Sequence, residues 1–174
     1  MTAGLCDPTD ERPRPGYEEA STGMSSTIAT TKHLIFRVGL EEHAVPLLSV
    51  REVSSMRPTR PVPDTPDYFV GVTNLRGNVI SILSLAKKLV VDGIGDDLTR
   101  AILVFKIKGT TLGIIVDEVI AVRALSDQDI DRGGAATLPI PTLYVLGIAK
   151  VGERLVTLLD LPLLLQDDLV ELAA

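Results

Sequence analysis

The stretch from Phe69 to Leu85, FVGVTNLRGNVISILSL, constrains the fold of this chain more than any other. Apolar and largely β-branched residues stand on both sides of a short polar segment, Asn74 to Asn78, which contains Gly77. β-Branched residues favour strands, and a glycine flanked by polar residues is typical of a turn. The pattern therefore predicts two antiparallel strands joined by a tight turn.

Arg76 is the unusual residue of this hairpin. It places a permanently charged side chain at the tip of an apolar element, and no acidic residue stands within four positions of it. One interpretation is an ordinary solvated turn arginine, as charged residues usually are. The other is a polar anchor for a protein partner, because arginine is enriched at binding hot spots.

Length and composition favour a small globular protein rich in β-structure. The 174 residues suffice for one domain, or for two small lobes that share a core. Hydrophobic residues make up 45% and charged residues 23%, as in ordinary soluble proteins. Aromatic residues are only 3% and tryptophan is absent, so valine, leucine and isoleucine must build the core.

Charge and cysteine content exclude several classes of protein. A net charge of −6, a pI near 4.9 and few aromatic residues argue against nucleic-acid binding. The single cysteine, Cys6, has no partner for an internal disulfide, which favours a reducing compartment. The N-terminus has no apolar run typical of a signal peptide, and Asp160 and Pro162 interrupt the apolar stretch Leu155 to Leu165. We expect a soluble, cytoplasmic protein without membrane insertion.

Residues 1–31 differ in composition from the rest of the chain. They hold three prolines and many serines and threonines, without a periodic apolar pattern. Five acidic residues against two arginines give this segment a charge of −3, half of the net −6. Such composition predicts a disordered acidic tail, followed by a folded domain at 32–174.

The folded region is predicted to consist mainly of strands. Besides the hairpin, strands are expected at 33–38, 44–48, 101–107, 111–116, 119–125, 144–151 and 154–159. A proline-rich connector occupies 54–67, and Ser84 is expected to cap a short helix reaching Leu89. Asp160, with Pro162 in the first turn, is expected to cap one final helix that runs to about Leu172.

Leu47, Val50 and Val53 recur at every third position. This spacing is typical of a helical turn and not of strand alternation. The residues either form a short turn facing the core or present an apolar stripe to a helix of a partner.

Two segments repeat the same pattern. Val79 to Leu85 matches Leu155 to Leu161, and each follows a turn glycine and a glycine–hydrophobic pair, Gly71-Val72 or Gly147-Ile148. The repeat predicts two small β-lobes of related construction, each curled into a barrel that hides its strand edges.

Candidate catalytic chemistry is scarce. The two histidines, His33 and His43, and the one cysteine do not supply a metal site of ordinary spacing. No nucleophile elbow, phosphate-binding loop or zinc protease motif occurs. Asp117 and Glu118 are adjacent strand residues that point to opposite faces, so they do not form a catalytic pair. We therefore expect no enzyme activity, no metal and no cofactor.

Four passages resemble the CheW-like adaptor domain of bacterial chemotaxis. They are FVGVTNLRG at 69–77, LGIIVDEV at 112–119, LGIAKVGERL at 146–155 and LLDL at 158–161. Their order and spacing match from about Lys32 to Gln166, and no kinase, phosphotransfer or receiver segment accompanies them. The resemblance implies an all-β fold of two five-stranded barrels on a shared hydrophobic core, with short helices that include a C-terminal one.

The resemblance also implies a function and its residues. The family couples the signalling tips of methyl-accepting chemoreceptors to the histidine kinase CheA, through its regulatory domain, in membrane-associated arrays. The receptor tip is expected in an apolar groove between the lobes, and the kinase at a separate surface. The matching receptor-binding positions are Leu34, Leu47, Val50, Val53, Arg76 and Val119, and the kinase-binding positions are Glu52 and Gly71.

The sequence departs from the family pattern at two positions, and it leaves the pathway and one alternative function open. Ser81 replaces a usual proline and Ser84 a usual aspartate or asparagine, although Ser84 remains able to cap a helix. The pathway is flagellar chemotaxis, pilus motility or another chemosensory system. From a different class, a small β-barrel that binds a ligand or nucleic acid is the remaining alternative.

Overall fold

Two antiparallel sheets with one parallel pairing each make up the described part of the chain. The computed structural model describes residues 29–93, 95–133, 138 and 140–172. The predicted disordered tail at 1–31 falls almost wholly outside these ranges. The all-β fold class is confirmed, and the first strand begins at Thr30, close to the expected start at Lys32.

The first sheet has six strands in the order β8-β1-β2-β11-β10-β9. Their bounds are β1 Thr30–Val38, β2 Glu41–Pro46, β8 Glu118–Ser126, β9 Ile130–Asp131, β10 Val145–Val151 and β11 Arg154–Leu159. The two-residue strand β9 makes this sheet one strand larger than the five expected.

The second sheet has five strands in the order β3-β6-β7-β5-β4. They are β3 Val50–Ser55, β4 Phe69–Leu75, β5 Asn78–Ser84, β6 Ala101–Ile107 and β7 Thr110–Val116. The central hairpin is thus confirmed as β4–β5, and β5 runs parallel to β7 just as β11 runs parallel to β2.

The sheets exchange strands between the two halves of the sequence. β3 follows β2 in the chain but pairs with β6 of the other sheet, and β8 follows β7 but pairs with β1. Each sheet therefore contains strands from both halves, so neither half has a complete sheet of its own.

Three apolar clusters hold this arrangement together. The largest, centred on Phe36, Phe105 and Leu159, takes side chains from both sheets and is the shared core. Each sheet also surrounds a smaller cluster, one joining Leu125 of β8 to Ala149 of β10 and the other joining Leu75 of β4 to Val104 of β6. Because each smaller cluster joins distant strands of one sheet, each sheet curls round its own interior.

Helix caps follow the sequence prediction closely, with one correction. The Ser84 hydroxyl accepts a hydrogen bond from the Lys87 N–H at 3.4 Å at the start of α1, Leu85–Leu89. The Asp160 carboxylate accepts from the Leu163 N–H at 3.1 Å at the start of α2, Leu161–Leu164. The prediction of a single final helix is wrong. Leu165 leaves helical geometry, and a separate helix, α3, follows over Gln166–Leu172.

Candidate functional site

Four of the six predicted receptor-binding residues lie in or against the shared core, whereas Val53 and Arg76 are exposed. Leu47, Val50 and Val119 are partly buried and pack against it, and Leu34 belongs to it. They come from β1, from the 3₁₀ turn Leu47–Ser49, and from β3 and β8. Since β3 and β8 are edge strands of different sheets, the set marks the margin where the two sheets meet.

The helical interpretation of the Leu47, Val50, Val53 spacing holds only for its first residues. Leu47–Ser49 is a 3₁₀ turn, but Val50 and Val53 lie on strand β3. The register of β3 against β6 shifts between Val50 and Glu52, which marks a β-bulge. Val50 is opposite Phe105 and Val53 opposite Leu103, both in the shared core, so the bulge places residues three apart on one face.

Exposure divides the predicted groove residues into two groups. Leu34 is only 3% exposed, so its side chain lies beneath the surface, whereas Val53 is 47% exposed. Two further apolar residues, which the sequence interpretation missed, are open at this margin. Val122 is 46% exposed on β8 and pairs with Leu34, and Leu48 in the 3₁₀ turn is 95% exposed. A register shift in the pairing of β8 with β1 puts Val119 and Val122 on the same face, and the alternation of residues along β8 does not indicate this.

Arg76 has the acidic partner that local sequence did not offer. Its Nη2 donates to Glu52 Oε1 at 2.9 Å and its Nε donates to the same oxygen at 3.1 Å. The partner stands 24 residues away, on β3, beyond the four positions searched in the sequence. The Arg76 side chain is still 75% exposed, so this pair is a surface ion pair that stabilises the fold by at most about 1 kcal/mol.

The backbone at Arg76 is itself unusual. Its φ is 52°, in the left-handed region, and Gly77 follows at 87°. A two-residue hairpin turn of this kind favours glycine or asparagine at its first position, and a larger side chain costs about 1 kcal/mol there. The Asn74 carboxamide oxygen accepts from the Gly77 N–H at 2.8 Å and supports the turn. Lys108 has the same conformation, with φ 49° before Gly109 in the β6–β7 turn, so the strain at Arg76 does not by itself distinguish a partner anchor from an ordinary turn residue.

The two predicted kinase-binding residues occupy different environments. Glu52 is 28% exposed and is held by Arg76, so the predicted receptor and kinase residues meet in one ion pair. Gly71 is buried, with φ 142°, and the backbone of Arg60 covers it. A Cβ at Gly71 would lie 2.2 Å from the Arg60 carbonyl oxygen. The absence of a side chain at Gly71 therefore allows the connector to pass closely at Arg60, which forms an isolated β-bridge with Val72.

The other candidate polar residues have separate structural partners. Asp117 is buried and its Oδ2 accepts from the Gly39 N–H at 2.7 Å, whereas Glu118 pairs with Arg37 at 2.6 Å. Asp117 lies between β7 and β8, and not within a strand as the sequence interpretation assumed, and the two carboxylates have different partners. No group of three or more histidine, cysteine or acidic side chains suited to a metal occurs in the ranges the structure describes.

His43 is buried and has no hydrogen-bond partner in the part of the chain that the structure describes. Its ring lies against Phe36, with centroids 6.0 Å apart, and neither ring nitrogen is hydrogen-bonded. The nearest carboxylate oxygen, Glu41 Oε2, is 3.9 Å from Nε2. Burial lowers the pKa of His43 from 6.5 to about 4, because the charged form loses its hydration. His43 is therefore a neutral core residue of the first sheet.

Comparison with known proteins matches one family over nearly all of the described region. The model of the CheW-like domain matches residues 32–169. A chemotaxis protein CheW of Klebsiella aerogenes is 32% identical over 135 residues, which are 78% of this chain and 81% of that protein. The Helicobacter pylori chemotaxis protein CheW is 32% identical over 153 residues, or 87% of this chain and 92% of that protein.

A solved structure is similar in fold. The crystal structure of the scaffolding protein TtCheW from Thermoanaerobacter tengcongensis has a TM-score of 0.72 and 28% sequence identity to this chain. The similarity covers 78% of this chain and 88% of that one. None of the helices in the described ranges has the length and apolar character needed to cross a bilayer.

Proposed function

This chain belongs to the CheW-like family, and on that premise we propose that it is a non-enzymatic adaptor that couples chemoreceptors to the histidine kinase CheA. The partners would be the helical signalling tip of the receptor and the regulatory domain of the kinase. Acting between them, the protein would be cytoplasmic and recruited to membrane-associated receptor arrays.

The receptor would dock at the margin where the two sheets meet. The observation that carries this proposal is the exposed aliphatic side chain of Val53, on an edge strand and on the same face as residues of the shared core. Leu47, Val50 and Val119 would extend the contact, and buried Leu34 would support Val122 from below. An amphipathic helix binds such a surface through apolar residues spaced along one face.

Arg76 would provide the polar contact beside this surface. Its exposed guanidinium remains able to donate to a carbonyl or carboxylate of the receptor while it is paired with Glu52. We assign Glu52 and Gly71 to kinase binding, with Gly71 acting through the position of the connector, since its own atoms are buried.

The energetics favour a reversible contact. Burying four or five valine and leucine side chains contributes at most about 1.5 to 3 kcal/mol each. Association costs on the order of 4 to 15 kcal/mol in lost translational and rotational freedom. The two ranges largely offset each other, so we expect a single contact to be weak and reversible, and stable assembly would require many simultaneous contacts in an array.

Co-sedimentation with receptor signalling domains on vesicles tests this proposal. The Val53→Asp variant should lose receptor binding, because it places a charge on the apolar docking surface. Leu155→Asp is the matched control, since Leu155 is also an exposed aliphatic strand residue, at 67%, but lies on β11. Circular dichroism and thermal unfolding should match wild type in both variants. Retained receptor binding by folded Val53→Asp would contradict the assignment.

A further inference from the structure

A cleft with two arginines lies beside the outer face of the β4–β5 hairpin. Its volume is about 580 Å³, and its lining includes Arg57, Pro58, Arg60, Val72 and Val79. Gly71 precedes Val72, so the cleft adjoins a position assigned to kinase binding. We call it the arginine cleft.

Among the described residues, neither guanidinium group of the arginine cleft has an acidic partner. Arg57 Nε donates to the Ser54 hydroxyl at 3.3 Å, and the ion pairs found among the described residues include neither Arg57 nor Arg60. The backbone of Arg60 is fixed by hydrogen bonds with Val72 in both directions, of 2.8 and 2.9 Å. Two positive charges are therefore presented from an anchored segment of a protein whose net charge is −6.

The floor of the arginine cleft is aliphatic. Val79 is 71% exposed, and Val72 is partly exposed beside it. Planar guanidinium groups bind carboxylates with two parallel hydrogen bonds, and an exposed aliphatic floor favours an apolar side chain. The chemistry suits a peptide segment that carries acidic residues around an aliphatic one.

The equivalent surface of the first sheet has the opposite charge. In the strand registers Ile148 corresponds to Val72, so Asp131, which pairs with Ile148, corresponds to Arg60, which bridges Val72. The cavity beside Ile148 is lined by Glu41, Glu42, Arg154 and Leu155; Glu42 pairs with Arg154 at 2.8 Å, which leaves the negative charge of Glu41 in excess. An acidic segment that fits the arginine cleft would meet carboxylates there, and such repulsion is a source of specificity.

We propose that the arginine cleft is a docking site for an acidic, aliphatic-bearing segment of the kinase regulatory domain. The proposal rests on the proposed adaptor function and identifies the partner chemistry at the kinase-binding face. Arg57 and Arg60 select the segment by charge, and Val72 and Val79 receive its aliphatic side chain. The charge contrast orients the adaptor, because the equivalent face of the first sheet repels the same segment.

Calorimetric titration of the full chain with the kinase regulatory domain tests the docking site. The double variant Arg57→Glu with Arg60→Glu should weaken binding by at least about tenfold and abolish most of its salt dependence. Lys150→Glu with Lys106→Glu is the control, since it makes the same charge change at two exposed strand positions outside the cleft. Equal binding by wild type and the double variant, or an equal loss in the control, would overturn the proposal.

Two further measurements separate the possible failures. Receptor co-sedimentation should be unchanged in the double variant; if wild-type protein binds receptor but never binds the kinase domain, the adaptor function itself fails. Sedimentation velocity of the chain alone, and titration with a synthetic peptide of residues 1–28, should show no association that depends on the two arginines. Arginine-dependent association in either experiment would assign the cleft to a second copy or to the chain's own acidic segment and overturn the proposal.

Discussion

The hairpins β4–β5 and β10–β11 hold equivalent places in the two sheets, yet they differ wherever we assign partner contacts. Val72 pairs with Ser81 in the first hairpin, and Ile148 pairs with Thr157 in the second. Both have a register shift before this pair, at Gly71 and at Gly147. What the hairpins share serves the fold, and what distinguishes them is a guide to function.

The turn is the clearest difference. At the first turn position, β10–β11 has Gly152 with φ 64°, and β4–β5 has Arg76 with φ 52°. The left-handed conformation suits glycine and strains arginine, so the fold alone would favour glycine at both turns. Substitutions at equivalent positions of the two sheets should therefore differ in their effects on stability and binding.

The glycines at the register shifts should differ in sensitivity. Gly71→Ala would place a Cβ 2.2 Å from the Arg60 carbonyl oxygen, a backbone atom, and should cost about 3 to 5 kcal/mol. Gly147→Ala would place a Cβ 2.6 Å from Ile130 Cγ2, the nearest atom and part of a side chain that can move, and should cost about 1 to 2 kcal/mol. Urea unfolding measures both, and equal costs would contradict the comparison.

The buried histidine of the first sheet should make the stability of the protein sensitive to acid. His43 pairs with Thr157, and the corresponding residue, Leu112, pairs with Ser81. Because the folded state lowers the pKa of His43 from 6.5 to about 4, the unfolded state binds more protons between these values. Stability is therefore complete above pH 6.5 and falls by about 3 kcal/mol as the pH decreases to 4.

The variant His43→Leu, which copies Leu112, should remove this part of the pH dependence. The free energy of unfolding, measured by urea titration along the pH range, tests it. Leu112→Val, a core change without a titrating group, is the control and should keep the wild-type slope. An unchanged slope in His43→Leu would show that other groups cause the acid sensitivity.

The two helix caps should contribute unequally. The Asp160 carboxylate accepts a hydrogen bond of 3.1 Å at α2, and the Ser84 hydroxyl accepts one of 3.4 Å at α1. Asp160→Ala should therefore cost about 1 kcal/mol or slightly more, and Ser84→Ala about 0.5 kcal/mol. Thermal unfolding compares the two, and Ser84→Asp should recover or exceed wild-type stability. A larger loss in Ser84→Ala than in Asp160→Ala would reverse the comparison.

The variant Arg76→Gly should separate function from stability most clearly. It copies Gly152, relieves the left-handed strain and loses the ion pair with Glu52, so stability should change by less than about 1 kcal/mol. Receptor co-sedimentation should nevertheless be lost. Glu52→Gln removes the same ion pair but keeps the guanidinium, and should retain receptor binding. If both variants bind receptor like wild type, Arg76 is only a turn residue.

Local patterns in the sequence sufficed to predict the hairpins and helix caps. The turn at Gly77 and the caps Ser84 and Asp160 depend on a few neighbouring residues, and the structure confirms them. The repeat between residues 79–85 and 155–161 is likewise confirmed by matching registers. These features follow from local hydrogen bonding and side-chain shape, which the sequence carries directly.

Long-range features were not predictable in the same way. The Arg76–Glu52 pair joins residues 24 positions apart, and nothing local to Arg76 indicates it. The bulge in β3 places Val50 and Val53 on one face, so the three-residue spacing that predicted a helical turn occurs in a strand. The exchange of β3 and β8 depends on which strands bury the shared core together, a property of the whole chain.

The exchange of β3 and β8 also has a mechanical consequence. Each edge strand at the proposed receptor surface is hydrogen-bonded to a strand from the other half of the chain. Separating the two halves of the chain must therefore break a ladder within each sheet, whereas the two sheets are joined to each other by the shared core and by the β2–β3 and β7–β8 connections. Neither sheet can form from one half of the chain alone.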